Sequence, residues 1–349
     1  MNVGILGATG AVGQKFIRLL RDHPWFTITA LGASERSAGK KYQKAANWIE
    51  DIELPAAVAQ LTVRSCVPDQ FSDVDFVFSG LDSSVAGEIE GAFAKAGIPV
   101  ISNAKNYRME PHVPLLVPEV NPDHIELINK QSYSSDSKGW IVTNPNCVAV
   151  PLSMALNPLH QVFGIQTVVV TTLQAVSGAG YPGVASLDIL GNVVPFIGGE
   201  EPKIKPETQK LLGVLADSEI TLPEFNLSAT ATRVPTINGH MIAATIEFSR
   251  KPDSLEEILE AYRTWENPVA DLNLPSSPEQ VINVHTDDRY PQPRLHADQE
   301  GGMQLHLGRI RESEVFDVSL IAMAHNTVRG AAGGAILNAE LLKVKGVLG

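Results

Sequence analysis

The chain has almost no cysteine, with two in 349 residues, Cys66 and Cys147. Two thiols exclude a disulfide framework and point to a reducing compartment. Cations are also outnumbered: 27 Lys and Arg against 39 Asp and Glu leave a formal net charge of −12. Such a balance argues against nucleic-acid and anionic-membrane partners, while leaving room for a local basic site that takes a phosphate. No apolar run is long enough to span a bilayer. The start, Met1-Asn-Val-Gly-Ile-Leu-Gly7, enters a strand without the basic and apolar regions of a secretion signal. A cytoplasmic protein with no membrane partner is expected. Internal repeats and low-complexity stretches are absent. None of the nine histidines stands with cysteines or carboxylates at metal-ligand spacing, so no metal is expected. What remains is a globular composition, 44% hydrophobic and 19% charged, on a chain long enough for two domains.

The segment Val3-Gly-Ile-Leu-Gly7-Ala8-Thr9-Gly10-Ala11-Val12-Gly13 runs into Gln14-Lys-Phe-Ile-Arg-Leu-Leu20. It reads as a strand, a glycine turn and an amphipathic helix, the context a dinucleotide fingerprint requires. Gly7 permits the tight turn, Gly10 lets backbone approach a pyrophosphate, and Gly13 allows close helix–strand packing. The anion would rest on the helix N-terminus. The spacing is G-x-x-G-x-x-G, and a glycine turn without a ligand is the competing reading. A second strand, Phe26–Leu31, leads to Ser34, Glu35, Arg36, Ser37 and Lys40. Arg36 with flanking hydroxyls and Lys40 at the strand end favours the 2′-phosphate of NADP over NAD. Further strands at Val74–Ser79, Pro99–Ser102 and Leu115–Val117, with a helix from Ser84 to Lys95, predict a doubly wound Rossmann-type sheet. Arg108, in the loop after a strand end, either clamps an anion or is solvated.

Cys147 ends the segment Trp140-Ile-Val-Thr-Asn-Pro-Asn-Cys147 and opens a helix with apolar residues at Leu152, Ala155, Leu156, Leu159 and Phe163. A thiol at a helix N-terminus meets unpaired N–H groups and the positive end of the dipole, which favour thiolate and an oxyanion. A buried structural cysteine is the alternative, and the strand-to-helix turn selects the nucleophile. The long β-branched strand Gly164–Val176 suits an antiparallel sheet covered by helices on one side, with Gln174 near its end. His240 follows an Asn-Gly turn and precedes the strand Met241–Phe248, and it is the natural proton shuttle for Cys147. Ser254-Leu-Glu-Glu257 is a structural capping box. The Ala- and Gly-lined segment Asn326–Leu342 is expected to be a helix that packs back on the nucleotide domain.

A nicotinamide site, a cysteine nucleophile and a histidine describe one chemistry: addition to a carbonyl, hydride transfer and a thioester. The stretches GATGAVGQ, ASERSAGK, NYRM, VPEVN, TNPNC, LQAVSGAGYPG, FIGGEEPK, RVPTINGH and NTVRGAAGGAILNAEL cover the chain in order. In them the chain resembles the aspartate-β-semialdehyde dehydrogenase family, in its archaeal and fungal form. The resemblance implies an α/β protein with a Rossmann domain over residues 1–146, joined by a C-terminal helix over 326–349. It further implies an α+β catalytic and oligomerisation domain, mostly antiparallel, over 147–325, and a homodimer or homotetramer.

By the same resemblance Cys147 is the nucleophile, His240 the general acid/base, and Gln174 orients the acyl intermediate. Arg233 takes the substrate α-carboxylate and Glu200 its ammonium, while Lys203, Arg108 and Asn146 bind phosphate. Ser177, Gly178 and Asn326 join the fingerprint residues at NADP. The implied reaction is NADPH-dependent reductive dephosphorylation of 4-phospho-L-aspartate, on the route to Lys, Thr, Met and Ile. Two positions depart from the family: Val148 and Met241 replace polar neighbours of Cys147 and His240. Malonyl-CoA reductase, with a CoA thioester as substrate, is the related alternative. It leaves Glu200 without a purpose. N-acetyl-glutamyl-phosphate reductase fits the motifs less well, and a non-catalytic nucleotide sensor would need neither Cys147 nor His240.

Overall fold

The computed structural model describes residues 1–135 and 138–349. The first half alternates short buried strands with helices. In chain order it holds β1 (Asn2–Leu6), α1 (Ala11–Leu20), β2 (Thr27–Ala33), the single turns α2 (Tyr42–Ala45) and α3 (Ala56–Ala59), and β3 (Arg64–Ser65). There follow β4 (Phe76–Ser79), α4 (Ser83–Lys95), β5 (Val100–Ser102) and β6 (Ile141–Thr143). All pair in parallel in the order β3-β2-β1-β4-β5-β6. The order reverses between β1 and β4, so the crevice for a ligand opens beyond Leu6 and Ser79. Phe16, Ile17 and Leu20 give α1 its buried face against this sheet. The expected strand at Leu115–Val117 does not form; Leu115 makes a single bridge to Thr143. Its apolar side chains are buried all the same, and Asn121 takes over the backbone, accepting from Val117 N and donating to the Leu115 carbonyl.

The second half holds α5 (Ala149–Phe163), β7 (Ile165–Gln174), α6 (Ser186–Ile189), α7 (Glu201–Leu211) and the hairpin β8 (Val214–Ala216) and β9 (Glu219–Thr221). It continues with β10 (Asn226–Arg233), β11 (His240–Phe248), α8 (Leu255–Arg263), β12 (Ile282–Val284), α9 (Pro293–His296), β13 (Leu305–Glu312), β14 (Val318–Ala324) and α10 (Gly333–Val344). The sheet order is β10-β7-β11-β14-β13-β12. The three central pairings are antiparallel, as expected, whereas β10 joins β7 and β12 joins β13 in parallel. Return from β7 to β10 passes through α7, a crossover long enough to bring the chain back in the same direction. Leu152, Ala155, Leu156, Leu159 and Phe163 of α5 are buried in one core with Val168, Val170, Ile242, Ala244 and Leu320 of the sheet. On the other face of the sheet Val169 is 43% exposed.

The C-terminal segment is not a single helix from Asn326. A π-helical turn, Val328–Ala332, precedes α10, with a kink at Ala331. Ile336, Leu337, Leu341 and Leu342 of α10 share a core with Phe16, Phe78 and Val142 of the first half. The buried pair Arg329–Glu119 (Nη1 to Oε1 2.8 Å) ties the π turn to the loop after Leu115–Val117.

Candidate active site

Strand register assembles the centre. Arg233 of β10 lies opposite Gln174 of β7, and Met241 of β11 opposite Leu173, so His240 comes level with Gln174 on the other side. The central strand thus ends between an arginine and a histidine. Ala175, the next residue, holds both: its N–H donates to His240 Nδ1 (3.1 Å) and its carbonyl accepts from Arg233 Nη1 (2.7 Å). A backbone N–H can only donate, so in the neutral ring the proton sits on Nε2. Nε2 is buried and has no partner among the described residues. Gly178 crosses above; a side chain there would come within 3.0 Å of Arg233 Nη1 and 3.1 Å of His240 Nε2.

Cys147 faces this row from the turn between β6 and α5. Glu200, Arg108, Arg233 and Lys203 all act on its thiol electrostatically. Burial, and after it Glu200, push that thiol up to about 12, with the three cations opposing. The residue keeps part of its surface, but the sulfur is enclosed densely enough for desolvation to dominate. Burial thus opposes the thiolate that a helix N-terminus favours. The helix N–H groups that were to stabilise it are engaged elsewhere: Asn146 Oδ1 accepts from Val148 N (2.8 Å) and Ala149 N (3.4 Å). Asn146 Nδ2 in turn donates to Glu200 Oε1 (2.8 Å). From behind, Gly330 presses on Cys147; a Cβ there would stand 2.8 Å from Cys147 Cβ.

Glu200, at the start of α7, also accepts from Gln174 Nε2 (3.4 Å) and Lys203 Nζ (3.1 Å). Arg108 is buried, with Nη1 on Glu207 and Nη2 on the Asn103 carbonyl, and its Nε–H lacks a partner. Asn326 bridges Gly239 N (2.9 Å) and Ser177 Oγ (2.8 Å), which fixes the turn before His240 to the turn after Gln174. Val148 and Met241, the two departures, point away. Val148 belongs to the α5 core, and strand alternation sends Met241 to the face opposite His240. Neither alters the polar set.

The fingerprint lies at the end of β1. Gly7 has φ +74°, and a Cβ on Gly13 would meet the Gly7 carbonyl at 2.3 Å, so turn and packing both demand glycine. At Gly10 the nearest atom would be 3.4 Å away, which leaves the approach over Thr9, Ala11 and Val12 open. No side chain caps α1, so its first N–H groups are free for an anion. Ser34, Arg36, Ser37 and Lys40 form one turn just beyond β2, with Ser34, Arg36 and Lys40 exposed. Among the described residues no group of His, Cys, Asp or Glu could hold a metal.

Residues not singled out from the sequence complete the site. Gln14 donates to the Thr9 and Asn47 carbonyls and steadies the fingerprint turn. Glu207 and Lys210 of α7 extend the Glu200–Lys203 spacing, a helical stripe of charge that was legible. Gly330 lies in the Ala- and Gly-lined stretch, which signals close packing but not that its neighbour is Cys147, and the Ala175 main chain leaves no local signal.

The chain matches the semialdehyde dehydrogenase NAD-binding domain over residues 2–128 and the semialdehyde dehydrogenase dimerisation domain over residues 156–329. It is 47% identical to an aspartate-semialdehyde dehydrogenase of Schizosaccharomyces pombe, covering 99% of each chain. Against the enzyme of the same description from Methanothermobacter thermautotrophicus it is 47% identical, covering 98% of this chain and 99% of that one. The crystal structure of aspartate semialdehyde dehydrogenase with NADP from Candida albicans superposes with TM-score 0.92 at 44% identity, covering 99% of each chain.

Proposed function

The chain belongs to the semialdehyde dehydrogenase family, and from that premise we propose that Cys147 and His240 carry the chemistry of an NADP-dependent aspartate-semialdehyde dehydrogenase. The reaction is reductive dephosphorylation of 4-phospho-L-aspartate to L-aspartate 4-semialdehyde. The observation that supports these roles best is the row Arg233–Gln174–His240 with a buried, unpartnered Nε2–H, set against a cysteine ringed by charge.

Arg233 takes the α-carboxylate and Glu200 the ammonium, each a charge-matched contact in a largely buried site. Arg108, through its free Nε–H, Lys203 and Asn146 receive the phosphate. So held, the acyl carbon lies at the Cys147 sulfur. Sulfur adds to that carbon, the C–O bond to phosphate breaks, and the thiol proton leaves with the phosphate. As negative charge grows on the carbonyl oxygen, His240 meets it with Nε2–H. Nδ1 is engaged by Ala175, so the Nε2–H is the one ring position from which His240 can meet the substrate oxygen. Gln174 orients the thioester from the centre of the row.

The cofactor is NADP. Its pyrophosphate fits the open backbone at Gly10 and the uncapped α1, and its 2′-phosphate fits Ser34, Arg36, Ser37 and Lys40. Ser177, Gly178 and Asn326, where β7 and β14 end and β11 begins, would line its nicotinamide side. When bound it supplies the hydride that reduces the thioester. Residues 1–146 with 326–349 form the nucleotide unit, and 147–325 the catalytic one. The exposed face of the second sheet, within the dimerisation-domain match, pairs copies into a homodimer or a homotetramer. Among the described residues no helix is long and apolar enough to cross a membrane. We place the enzyme in the cytoplasm.

The test assays the purified protein with aspartate semialdehyde, phosphate and NADP, and separately with malonyl-CoA and NADPH. Turnover in the first mixture, abolished in Cys147→Ala with NADPH binding intact, is expected. Turnover with malonyl-CoA alone would overturn the reading. A buried Glu200 speaks against that outcome, because malonate has no ammonium to meet it.

A further inference from the structure

Helix α7 and its first flanking residue carry Glu200, Lys203, Glu207 and Lys210, spaced three, four and three apart, which places all four along one face. The first two serve the substrate. The last two are more deeply buried, at 2% and 4% exposure, and the reaction as described does not use them.

Glu207 accepts from Arg108 Nη1 (3.1 and 3.4 Å to its two oxygens) and from the main-chain N–H of Asn146 (2.6 Å). That N–H belongs to the residue immediately before Cys147. Lys210 donates to the carbonyls of Arg108, Glu110 and Val113 at 2.8, 2.8 and 2.9 Å. Three acceptors saturate an ammonium, so the loop bearing Arg108 is knotted onto α7. With Nη1 on Glu207 and Nη2 on the Asn103 carbonyl, the guanidinium cannot rotate, and its buried Nε–H is left to face a ligand.

We infer that Glu207 is a positioning residue: one carboxylate fixes the phosphate-binding Arg108 relative to the peptide that carries the nucleophile, and Lys210 holds the Arg108 loop in the same register. This rests on Arg108 being the phosphate ligand. Both partners of Glu207 are donors, so a carboxylate satisfies both while a glutamine must turn its NH2 toward one of them. Charge-assisted bonds of this kind are the stronger ones, and small misplacements of reacting groups are costly.

The experiment measures phosphate, aspartate semialdehyde and NADP kinetics in the phosphorylating direction for E207Q, R108L, the double variant and K210M. E207Q is expected to raise KM for inorganic phosphate about tenfold or more, with KM for the semialdehyde changed less than about twofold. K210M is expected to shift phosphate KM in the same direction. The double variant should be no worse than R108L, because Glu207 acts through Arg108. A phosphate KM that rises in R108L but stays at the wild-type value in E207Q and K210M overturns the proposal. So does full additivity in the double variant. If R108L itself leaves phosphate KM unchanged, the assignment of Arg108 falls, and the inference about Glu207 falls with it. Should E207Q fail to fold, K210M decides alone: a raised phosphate KM supports the role and an unchanged one refutes it.

Discussion

The main-chain N–H of Ala175 donates to Nδ1 of His240 across 3.1 Å, and this one bond sets the tautomer of the neutral imidazole. Burial, then Arg233 and His325, bring His240 down to about 3. His240 is therefore neutral through the working range. Plots of kcat against pH between 5 and 8 should show no break from His240 in the wild-type enzyme. His240→Asn should lower kcat by roughly a hundredfold or more at every pH. A nitrogen-15 spectrum showing the ring titrating near 6.5 would contradict this.

The same depression makes stability pH-dependent. His306 and His325 are also brought down, each to about 4, mainly by burial. Above pH 6.5 these rings are neutral in both folded and unfolded chains. Below it the unfolded chain takes up protons that the folded one refuses, so stability is lost as pH falls from about 6.5 toward 4. Urea midpoints between pH 7 and 5 should decline accordingly, and a flat profile would contradict the assignment.

Cys147 should be a slow thiol in the free enzyme. Its alkylation by iodoacetamide should keep rising with pH past 9, without the plateau of an ordinary or activated thiolate. A plateau near 7 would mean that the resting thiolate exists after all.

Gly330→Ala places a methyl group 2.8 Å from Cys147 Cβ and 3.0 Å from its Cα, where backbone on both sides leaves little to yield. Cys147 must shift. A loss in kcat of about a hundredfold is expected, with NADP affinity nearly unchanged, since the fingerprint lies elsewhere. Wild-type kcat in this variant would show that the contact is slack.

Arg329 and Glu119 are 1% and 0% exposed, so removing one charge strands the other. Glu119→Gln should cost about 3–5 kcal/mol in urea unfolding. A cost below about 1 kcal/mol would place the pair in effective contact with water.

Sequence alone determined the parts built from neighbours in the chain. Gly7, Gly10 and Gly13 declare themselves because a turn and a helix packed over it need glycine within a few residues. The α5 stripe and the placement of His240 at a strand start are likewise periodic or turn signals. Arg233, Glu200 and Lys203 enter the substrate set only through the family resemblance, and Glu207 and Lys210 continue the same charged face one turn further along α7. Leu115–Val117 reads as a strand because burial without pairing leaves the same apolar pattern. What only the tertiary structure decided is everything that depends on register and burial. The level of Arg233, Gln174 and His240, the tautomer set by Ala175 and the contact of Gly330 with Cys147 join residues far apart in sequence. The cysteine is the sharpest case: its place before a helix favoured a thiolate. With Asn146 on the helix N–H groups and the sulfur enclosed beside Glu200, desolvation pushes the other way, toward the thiol.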